Sequence, residues 1–180
     1  MKNLLTVLIL ITIICTNKVF AGFKEGVDAL RNSDHELALA ILLPLAREGI
    51  ASAQYNVGLL FQQGRGIKQD YKEASHWYRA AANQGHFGAQ NNIGSLYRQG
   101  HGVKQNYKTA ASWYRRATQK SPLARSNLAF LYTHGLGVQK DFTAAFRLLK
   151  WAADSGHAKS IFEVGNLYAK GQGIDKSKKK

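Results

Sequence analysis

The sequence predicts an all-α protein, an α-solenoid of helix-turn-helix repeats. The motif Gly-x-Gly-(Ile/Val) occurs four times, and successive copies lie 36, 35 and 36 residues apart. On both sides of these motifs, apolar residues recur at i, i+3, i+4 and i+7, the spacing of one face of an α-helix. A period of this length made of two amphipathic helices is typical of solenoids, in which neighbouring repeats stack to bury their apolar faces.

The first 21 residues have the organisation of a secretory signal peptide. Lys2 gives a positive end, a largely apolar run of 12 residues follows from Leu4 to Cys15, and Val19-Phe20-Ala21 supplies small residues at a cleavage position. The run is well short of the roughly 20 residues that span a bilayer, and Ile14 stands where a lipoprotein has a small residue before its Cys. We therefore expect no permanent membrane span, cleavage after Ala21, and export to the periplasm or the outside of a bacterial cell.

The rest of the chain repeats one two-helix pattern. The second helix of each repeat carries an apolar set after the loop, and an earlier copy of this set begins at Ala38. The predicted array covers residues 22–175, with a partial first repeat, three full repeats and a truncated fourth, and a basic tail follows at 176–180. The first helix carries a small residue six positions before the loop, at Gly58, Gly94, Ala129 and Gly165. The apolar sets are Ala38/Ile41/Leu42/Leu45, Ala74/Trp77/Tyr78/Ala81, Ala110/Trp113/Tyr114/Ala117 and Ala145/Leu148/Leu149/Ala152.

Residues at the predicted helix ends agree with this division. The first glycine of each loop can take the left-handed conformation that closes a helix, and the second keeps the turn permissive. Asp70 and Glu73 have the spacing of a capping box, and Ser121-Pro122 is typical of an N-cap followed by the first helical residue. The position of Asp70 is held by further capping residues in the other copies, Asp34, Asn106 and Asp141.

These repeats resemble those of the Sel-1-like repeat family, relatives of the tetratricopeptide repeats. The resemblance rests on the helix Ala53–Phe61, on the Gly-x-Gly-(Ile/Val) loops and on the run Asp70–Ala81, and it covers about residues 22–175. The third repeat departs, since Leu148-Leu149 replaces the Trp-Tyr pair and Ala129 replaces the glycine. The resemblance implies a right-handed superhelix that holds partners or assembles complexes, and it implies no single chemistry.

Composition excludes several classes of protein. Of the 180 residues, 45% are hydrophobic and only 2 are Pro, which is too apolar for disorder and too poor in Pro for a low-complexity linker. The single Cys would leave with the signal peptide, so neither a disulfide framework nor a multi-Cys metal site is expected. The net charge of +14 favours acidic partners or anionic surfaces.

No catalytic, cofactor-binding or metal-binding residues are predicted. The six His residues form no His-Glu-x-x-His pair, and the loops lack both the third Gly of dinucleotide sites and the Lys-Ser/Thr of phosphate-binding loops. Some Cys-rich relatives in the Sel-1-like repeat family are associated with β-lactam hydrolysis. The Ser-x-x-Lys motif of β-lactamases occurs only once in the mature chain, from Ser177 to Lys180, where it lies in the tail. Trp77, Trp113 and Trp151 lie on or near the apolar faces, which favours core packing over a stacking platform.

One candidate partner-binding surface lies on the first helices of the repeats. By analogy with tetratricopeptide arrays, these helices line the inner face, which would hold Tyr55, Asn56, Asn91, Asn92, Arg98 and Asn127. Asn56, Asn92 and Asn127 share one register position, and Glu163 ends the row. A carboxamide there can pair with a peptide backbone or satisfy neighbouring helix ends, and both interpretations stay open.

The second candidate feature is charge. The stretch from Ala74 to Lys140 contains no Asp or Glu and nine basic residues: Arg79, Arg98, Lys104, Lys108, Arg115, Arg116, Lys120, Arg125 and Lys140. This stretch is either a solvated basic face or a surface for an acidic partner.

From the sequence alone we expect an exported protein-interaction or adaptor module without catalytic activity. Its partner would be a protein, and the basic stretch favours an acidic one. The alternatives are an envelope hydrolase of the β-lactamase-like kind and a binder of anionic cell-surface polymers. We expect no nucleic acid, cofactor or small-molecule substrate.

Overall fold

A computed structural model of the chain describes residues 18–173. Residues 18–31 form a helix, α1, and eight helices of 11 to 13 residues follow, while the described part contains no strand. The all-α architecture predicted from the sequence is confirmed, and α1 adds a first helix to the repeat of which the pattern revealed only the second. The eight helices are α2 (His35–Arg47), α3 (Ala51–Gln63), α4 (Tyr71–Asn83), α5 (Phe87–Gln99), α6 (Tyr107–Ala117), α7 (Pro122–His134), α8 (Phe142–Asp154) and α9 (Ala158–Ala169).

Parts of the sequence interpretation fall outside residues 18–173. The apolar run Leu4–Cys15 precedes them, and Ile174 with the basic tail at 176–180 follows them. Residues 18–21 belong to α1, and Val19 packs against the apolar core of the first repeats. Within the described part, no helix combines the length and the apolar character needed to cross a membrane.

The predicted N-caps are present, but Glu73 does not complete the predicted capping box, because the N–H of Asp70 donates to the carbonyl of Phe61 at 2.9 Å. The Asp70 carboxylate accepts hydrogen bonds from the backbone N–H groups of Lys72 and Glu73 at 2.8 and 3.0 Å. Each bond satisfies a donor that the first turn of a helix leaves unpaired. The matching caps are Asp34 to Leu37 N at 3.1 Å, Asn106 to Thr109 N at 2.9 Å, Ser121 to Ala124 N at 3.1 Å and Asp141 to Ala144 N at 2.9 Å.

The two loop glycines have different roles. Gly135 closes α7 in the left-handed conformation, with φ 68°, and its N–H reaches the carbonyl of Leu131. Gly137 also has positive φ, and a Cβ there would overlap the backbone of Tyr107 and Lys108 at the start of α6. The second glycine is therefore required because the loop lies against the preceding repeat, which is a stronger constraint than a permissive turn.

The described part of the chain divides into two compact units, of which the first ends at Ala81 and the second begins at Ala82. In the first, the described helices enclose a core that includes Ala38, Leu42 and Val57, with Trp77 packed against it. In the second, each of the helices α5 to α9 packs against the next. This order of packing, one helix against the next, is that of an all-α solenoid of helical repeats.

Within a repeat, the second helix closes over the small residue of the first. Tyr78 and Tyr114 are fully buried, and their rings occupy the space beside Gly58 and Gly94. In the third repeat Ala129 and Leu149 share one core cluster instead. The Leu149 side chain is smaller than a tyrosine and leaves room for the Cβ of Ala129. The replacement of tyrosine by leucine and that of glycine by alanine therefore compensate each other.

One bracing contact repeats along the array and is not apparent in the sequence pattern. Gln54 donates from Nε2 to the carbonyl of Ala46 at 3.1 Å, and Gln90 does the same to Ala82 at 3.1 Å. In the third repeat the equivalent residue is Arg125, whose Nε donates to the carbonyl of Thr118. Each side chain adds a hydrogen bond to a carbonyl at the end of the preceding helix, where the last carbonyls have no partner within the helix. The carbonyls of Ala46 and Ala82 also accept the N–H groups of Gly49 and Gly85.

The expectation that the tryptophans are core residues needs correction. Trp77 and Trp113 are both half-buried, Trp77 against the first core, and Trp151 is 38% exposed. The guanidinium of Arg125 lies 3.4 Å from the centre of the Trp151 ring. Trp151 therefore lies at the rim of the core, where it packs beneath a basic side chain of its own chain.

Candidate functional site

The second unit contains a groove of about 390 Å³ lined mainly by first helices of the repeats. Arg98 comes from α5, Asn127 and Phe130 come from α7, and Lys159 and Glu163 come from α9. Two of the six predicted partner-binding residues, Arg98 and Asn127, thus line one groove. The first helices of this unit thus share one groove, and the binding of a partner there stays a prediction.

Arg98 is held against an aromatic ring. Its side chain is half-buried, and its guanidinium carbon lies 5.7 Å from the centre of the Phe130 ring. The Nε atom is buried and has no hydrogen-bond partner among the described residues. The ring attracts and orients the cation, but it offers no acceptor for the guanidinium N–H groups.

Asn127 is fixed by an amide from the preceding repeat. Its Nδ2 donates to Oδ1 of Asn91 at 2.8 Å, and Asn91 in turn donates from Nδ2 to Oδ1 of Asn92 at 3.2 Å. Asn91 is only 4% exposed. Asn91 is therefore largely enclosed, and its amide is used inside the protein to position Asn127. Its contact with a partner stays a prediction.

Tyr55 and Asn56 lie in the first unit. Asn56 is half-buried and donates from Nδ2 to the carbonyl of Ser52, in its own helix, at 3.0 Å. The Tyr55 ring lies 6.0 Å from that of Tyr78. For Asn56 the contacts favour the alternative in which the amide satisfies its own helix.

The charges lining the groove are unbalanced. Arg98, Lys159 and Lys170 face one acidic lining residue, Glu163. Sequence reasoning missed Lys159 and Lys170, which lie beyond the basic stretch. Comparison of equivalent repeat positions could have identified Lys170. It stands directly before its loop glycine, as His134 does, and both side chains line the groove.

The repeats match a known family. The family model described as Sel1 repeat matches residues 51–86, 88–121, 122–157 and 158–180, which together are more than half of the chain. The chain belongs to the Sel1 repeat family. The resemblance seen in the loops and helices is thereby confirmed.

Two characterised relatives contain the same repeats within much longer chains. The ERAD-associated E3 ubiquitin-protein ligase component HRD3B of Arabidopsis thaliana is 31% identical over 163 residues, 88% of this chain and 20% of that protein. Protein sel-1 homolog 2 of Homo sapiens is 31% identical over 136 residues, 74% of this chain and 15% of that protein. The chain therefore spans a fifth or less of the length of these relatives.

Solved structures show the same architecture. A protective antigen present in uropathogenic Escherichia coli strains, which displays an SLR fold, superposes with a TM-score of 0.83 at 27% identity and covers 89% of this chain and 35% of its own. A Sel1 repeat protein from Oxalobacter formigenes superposes with a TM-score of 0.73 at 37% identity, covering 78% of this chain and 58% of its own.

In these Sel1 repeats, most cations of the acid-free stretch rest on aromatic rings. Arg116 lies 4.4 Å from the centre of the Trp113 ring, and Lys120 lies 5.0 Å from that of Phe87. Similar contacts join Arg115 to Tyr132, Lys140 to Phe142 and Arg125 to Trp151. Burial lowers the pKa of the Arg125 guanidinium from its ordinary value. Ring faces and carbonyls thus stabilise these cations where carboxylates are lacking.

Two histidines of the Sel1 repeats, His86 and His157, make local hydrogen bonds. Nδ1 of His86 accepts the N–H of Ala89 at 3.2 Å and caps α5, while Nδ1 of His157 lies 2.8 Å from Oγ of Ser160. Burial lowers the pKa of the His86 imidazole, and its backbone hydrogen bond opposes this shift. The described residues contain no group of three His, Cys, Asp or Glu side chains placed to hold one metal ion.

Proposed function

We propose that this Sel1 repeat chain is a protein-interaction module without catalytic activity and that the groove of the second unit binds the partner. The groove of about 390 Å³ carries this proposal, because its volume lies within the range of about 300–1,000 Å³ typical of ligand-binding clefts. Its walls combine an apolar ring, Phe130, with polar side chains such as Asn127, and this mixture suits a peptide. The relative from Arabidopsis thaliana is named as a component of an E3 ubiquitin-protein ligase, a description that fits an assembly role.

The proposal includes export. The charged end, the apolar run Leu4–Cys15 and the small residues at 19–21 support a signal peptide, and mature protein would begin at Gly22. An exported module would meet its partner in the periplasm or outside the cell. Mass spectrometry of the protein recovered from the envelope or medium tests this, and an intact Met1 or Lys2 on that protein would contradict it.

Site-specific crosslinking tests the interaction itself. A photo-crosslinking amino acid is placed at Thr133, which lines the groove, or at Arg147, an exposed residue of α8 outside the lining set. We expect crosslinked protein partners from the producing organism's envelope at Thr133 and not at Arg147. No crosslinked protein at Thr133, or the same products at both positions, would overturn the proposal.

A further inference from the structure

We infer that the groove of the second unit recognises a peptide whose carboxylate side chain binds the guanidinium of Arg98. This inference rests on the proposed function and adds the chemistry of the partner and the residue that selects it. The ligand class is an acidic peptide segment in which one or two carboxylates stand beside an apolar side chain. Four features of the groove lead to it.

The first feature is that Arg98 has no hydrogen-bond acceptor among residues 18–173. Other arginines of the second unit donate to internal acceptors: Arg115 to the Tyr132 hydroxyl at 3.3 Å, and Arg116 to the carbonyl of Ala82 at 3.1 Å. The guanidinium of Arg98 makes its ring contact with Phe130 and no hydrogen bond or ion pair with any described residue. A half-buried guanidinium in this state is completed by an external acceptor, and a carboxylate matches its planar set of donors.

The second feature is the charge around Arg98. Lys159 on α9 and Lys170, which directly follows that helix, line the same groove. Neither lysine makes an ion pair with a described residue, and neither does Glu163. The groove therefore has an excess of free positive charge that attracts an anion. Glu163 opposes a densely charged polyanion, because each further negative charge that approaches it is repelled. Sparse carboxylates thus suit the site better than a phosphate or sulfate polymer.

The third feature is the free oxygen of Asn127. Its Nδ2 is engaged by Asn91 at 2.8 Å, whereas its Oδ1 accepts no hydrogen bond from a described residue. A fixed carboxamide oxygen can accept the N–H of a peptide backbone. Because Asn91 holds the amide in place, little side-chain entropy remains to be lost when a peptide binds.

The fourth feature is the apolar surface of the groove. The Phe130 ring is 40% exposed although it packs beneath Arg98. An apolar ligand side chain placed next to the carboxylate would cover the exposed part of this ring. Phosphate and sulfate polymers offer no such group, so the combination of ring and cation favours a protein ligand.

The test begins with a synthetic array of random hexapeptides, acetylated and amidated so that only side chains carry charge. The purified, labelled chain is bound to the array beside three variants: Arg98→Gln, Arg147→Gln and a chain lacking residues 176–180. Arg147→Gln removes the same charge from exposed α8 and serves as the matched control. We expect the bound peptides to be enriched in Asp or Glu next to an apolar residue, and we expect only Arg98→Gln to abolish that enrichment.

The strongest peptide and its Asn/Gln analogue are then titrated. We expect the analogue to bind at least tenfold more weakly and Arg98→Gln to weaken the acidic peptide by at least tenfold, with Arg147→Gln within twofold of the parent. In a ¹⁵N-correlated spectrum, the Nε–H resonance of Arg98 should shift with the acidic peptide and not with the analogue. If Arg98→Gln lowers the unfolding midpoint, Lys170→Gln serves as a second groove variant. We expect it to weaken binding of the acidic peptide by at least threefold.

The contrary outcomes are distinct. Bound peptides without acidic enrichment, equal binding of peptide and analogue, or loss of binding only on deletion of 176–180 would each overturn the inference. Tighter binding of polyphosphate than of the best peptide would assign the groove to a polyanion instead. Protein crosslinking at Thr133 combined with any of these results would leave the proposed function standing, whereas its absence would remove both.

Discussion

The ring of Tyr114 occupies the space that a side chain on Gly94 would need. A Cβ on Gly94 would lie 2.8 Å from Cε1 of Tyr114, closer than carbon atoms approach in folded proteins. Gly58 stands in the same relation to Tyr78, at 2.7 Å. Each of these repeats is closed by a large aromatic ring that packs directly on helix backbone, which explains why the ring and the glycine recur together.

Alanine at two equivalent glycines should have opposite effects on stability. Gly94→Ala should lower the free energy of unfolding by about 1–3 kcal/mol, because the added methyl overpacks the site. A Cβ at Gly165 meets no atom within 4 Å, so Gly165→Ala should raise it by about 0.5–1 kcal/mol through better helix propensity. Urea unfolding followed by circular dichroism gives both values. If both substitutions changed the free energy of unfolding in the same direction, the contact with Tyr114 would not be the reason that position 94 requires glycine.

Tyr114→Ala should destabilise the protein more than Trp113→Ala. Tyr114 is 0% exposed, so its removal leaves a cavity and should cost about 3–5 kcal/mol. Trp113 is half-buried beneath Arg116, and its loss should cost less. The damage should concentrate in adjacent repeats. The unfolding midpoints of both variants measure which substitution is more destabilising, and hydrogen exchange of the α5 and α7 amides shows whether the damage lies in adjacent repeats. A larger effect of Trp113→Ala would contradict the prediction.

Asn91 and Asn127 should be coupled energetically. Asn127→Ala removes the donor that lies 2.8 Å from the buried Oδ1 of Asn91, and leaving that oxygen unpaired should cost about 1–3 kcal/mol. A double-mutant cycle with Asn91→Ala should give a coupling energy of about 0.5–3 kcal/mol. Asn56→Ala, which removes a bond to a carbonyl of its own helix, serves as the single-site comparison. Strict additivity of the two changes would show that the amides act separately.

Periodicity was enough to predict the helices α2 to α9, because glycine, aromatic and capping residues recur at fixed positions along one helix face. It did not reveal α1, whose residues 18–21 lie in the predicted signal peptide. It could not predict the groove, whose cations come from residues as distant in sequence as Arg98 and Lys170. The Asn91–Asn127 bond also joins unequal register positions, since Asn127 corresponds to Asn92. A search for residues at the same position of each repeat therefore groups Asn127 with Asn92 and misses its hydrogen bond with Asn91. Side-chain direction, which separates buried Asn91 from groove-lining Asn127, depends on packing between repeats and not on local propensity.

His86 should make stability pH-dependent in a predictable direction. Its imidazole caps α5 by accepting the Ala89 N–H on Nδ1, a role that only the unprotonated nitrogen can fill. Burial lowers its pKa in the folded protein from the ordinary 6.5, so the unfolded chain binds more protons between these two values. The stability contributed by neutral His86 is therefore complete above about pH 6.5 and is lost as the pH falls toward and below the folded pKa.

Replacement of His86 by Asn tests this dependence. His86→Asn retains a capping acceptor but does not titrate, so it should match the parent near pH 7.5 and lose less stability on acidification to pH 5. The measurement is the free energy of unfolding at intervals between these pH values, with the difference between the two proteins isolating His86 from the other five histidines. A difference that stays constant with pH would show that the imidazole has the same pKa folded and unfolded, and that the cap does not depend on its protonation.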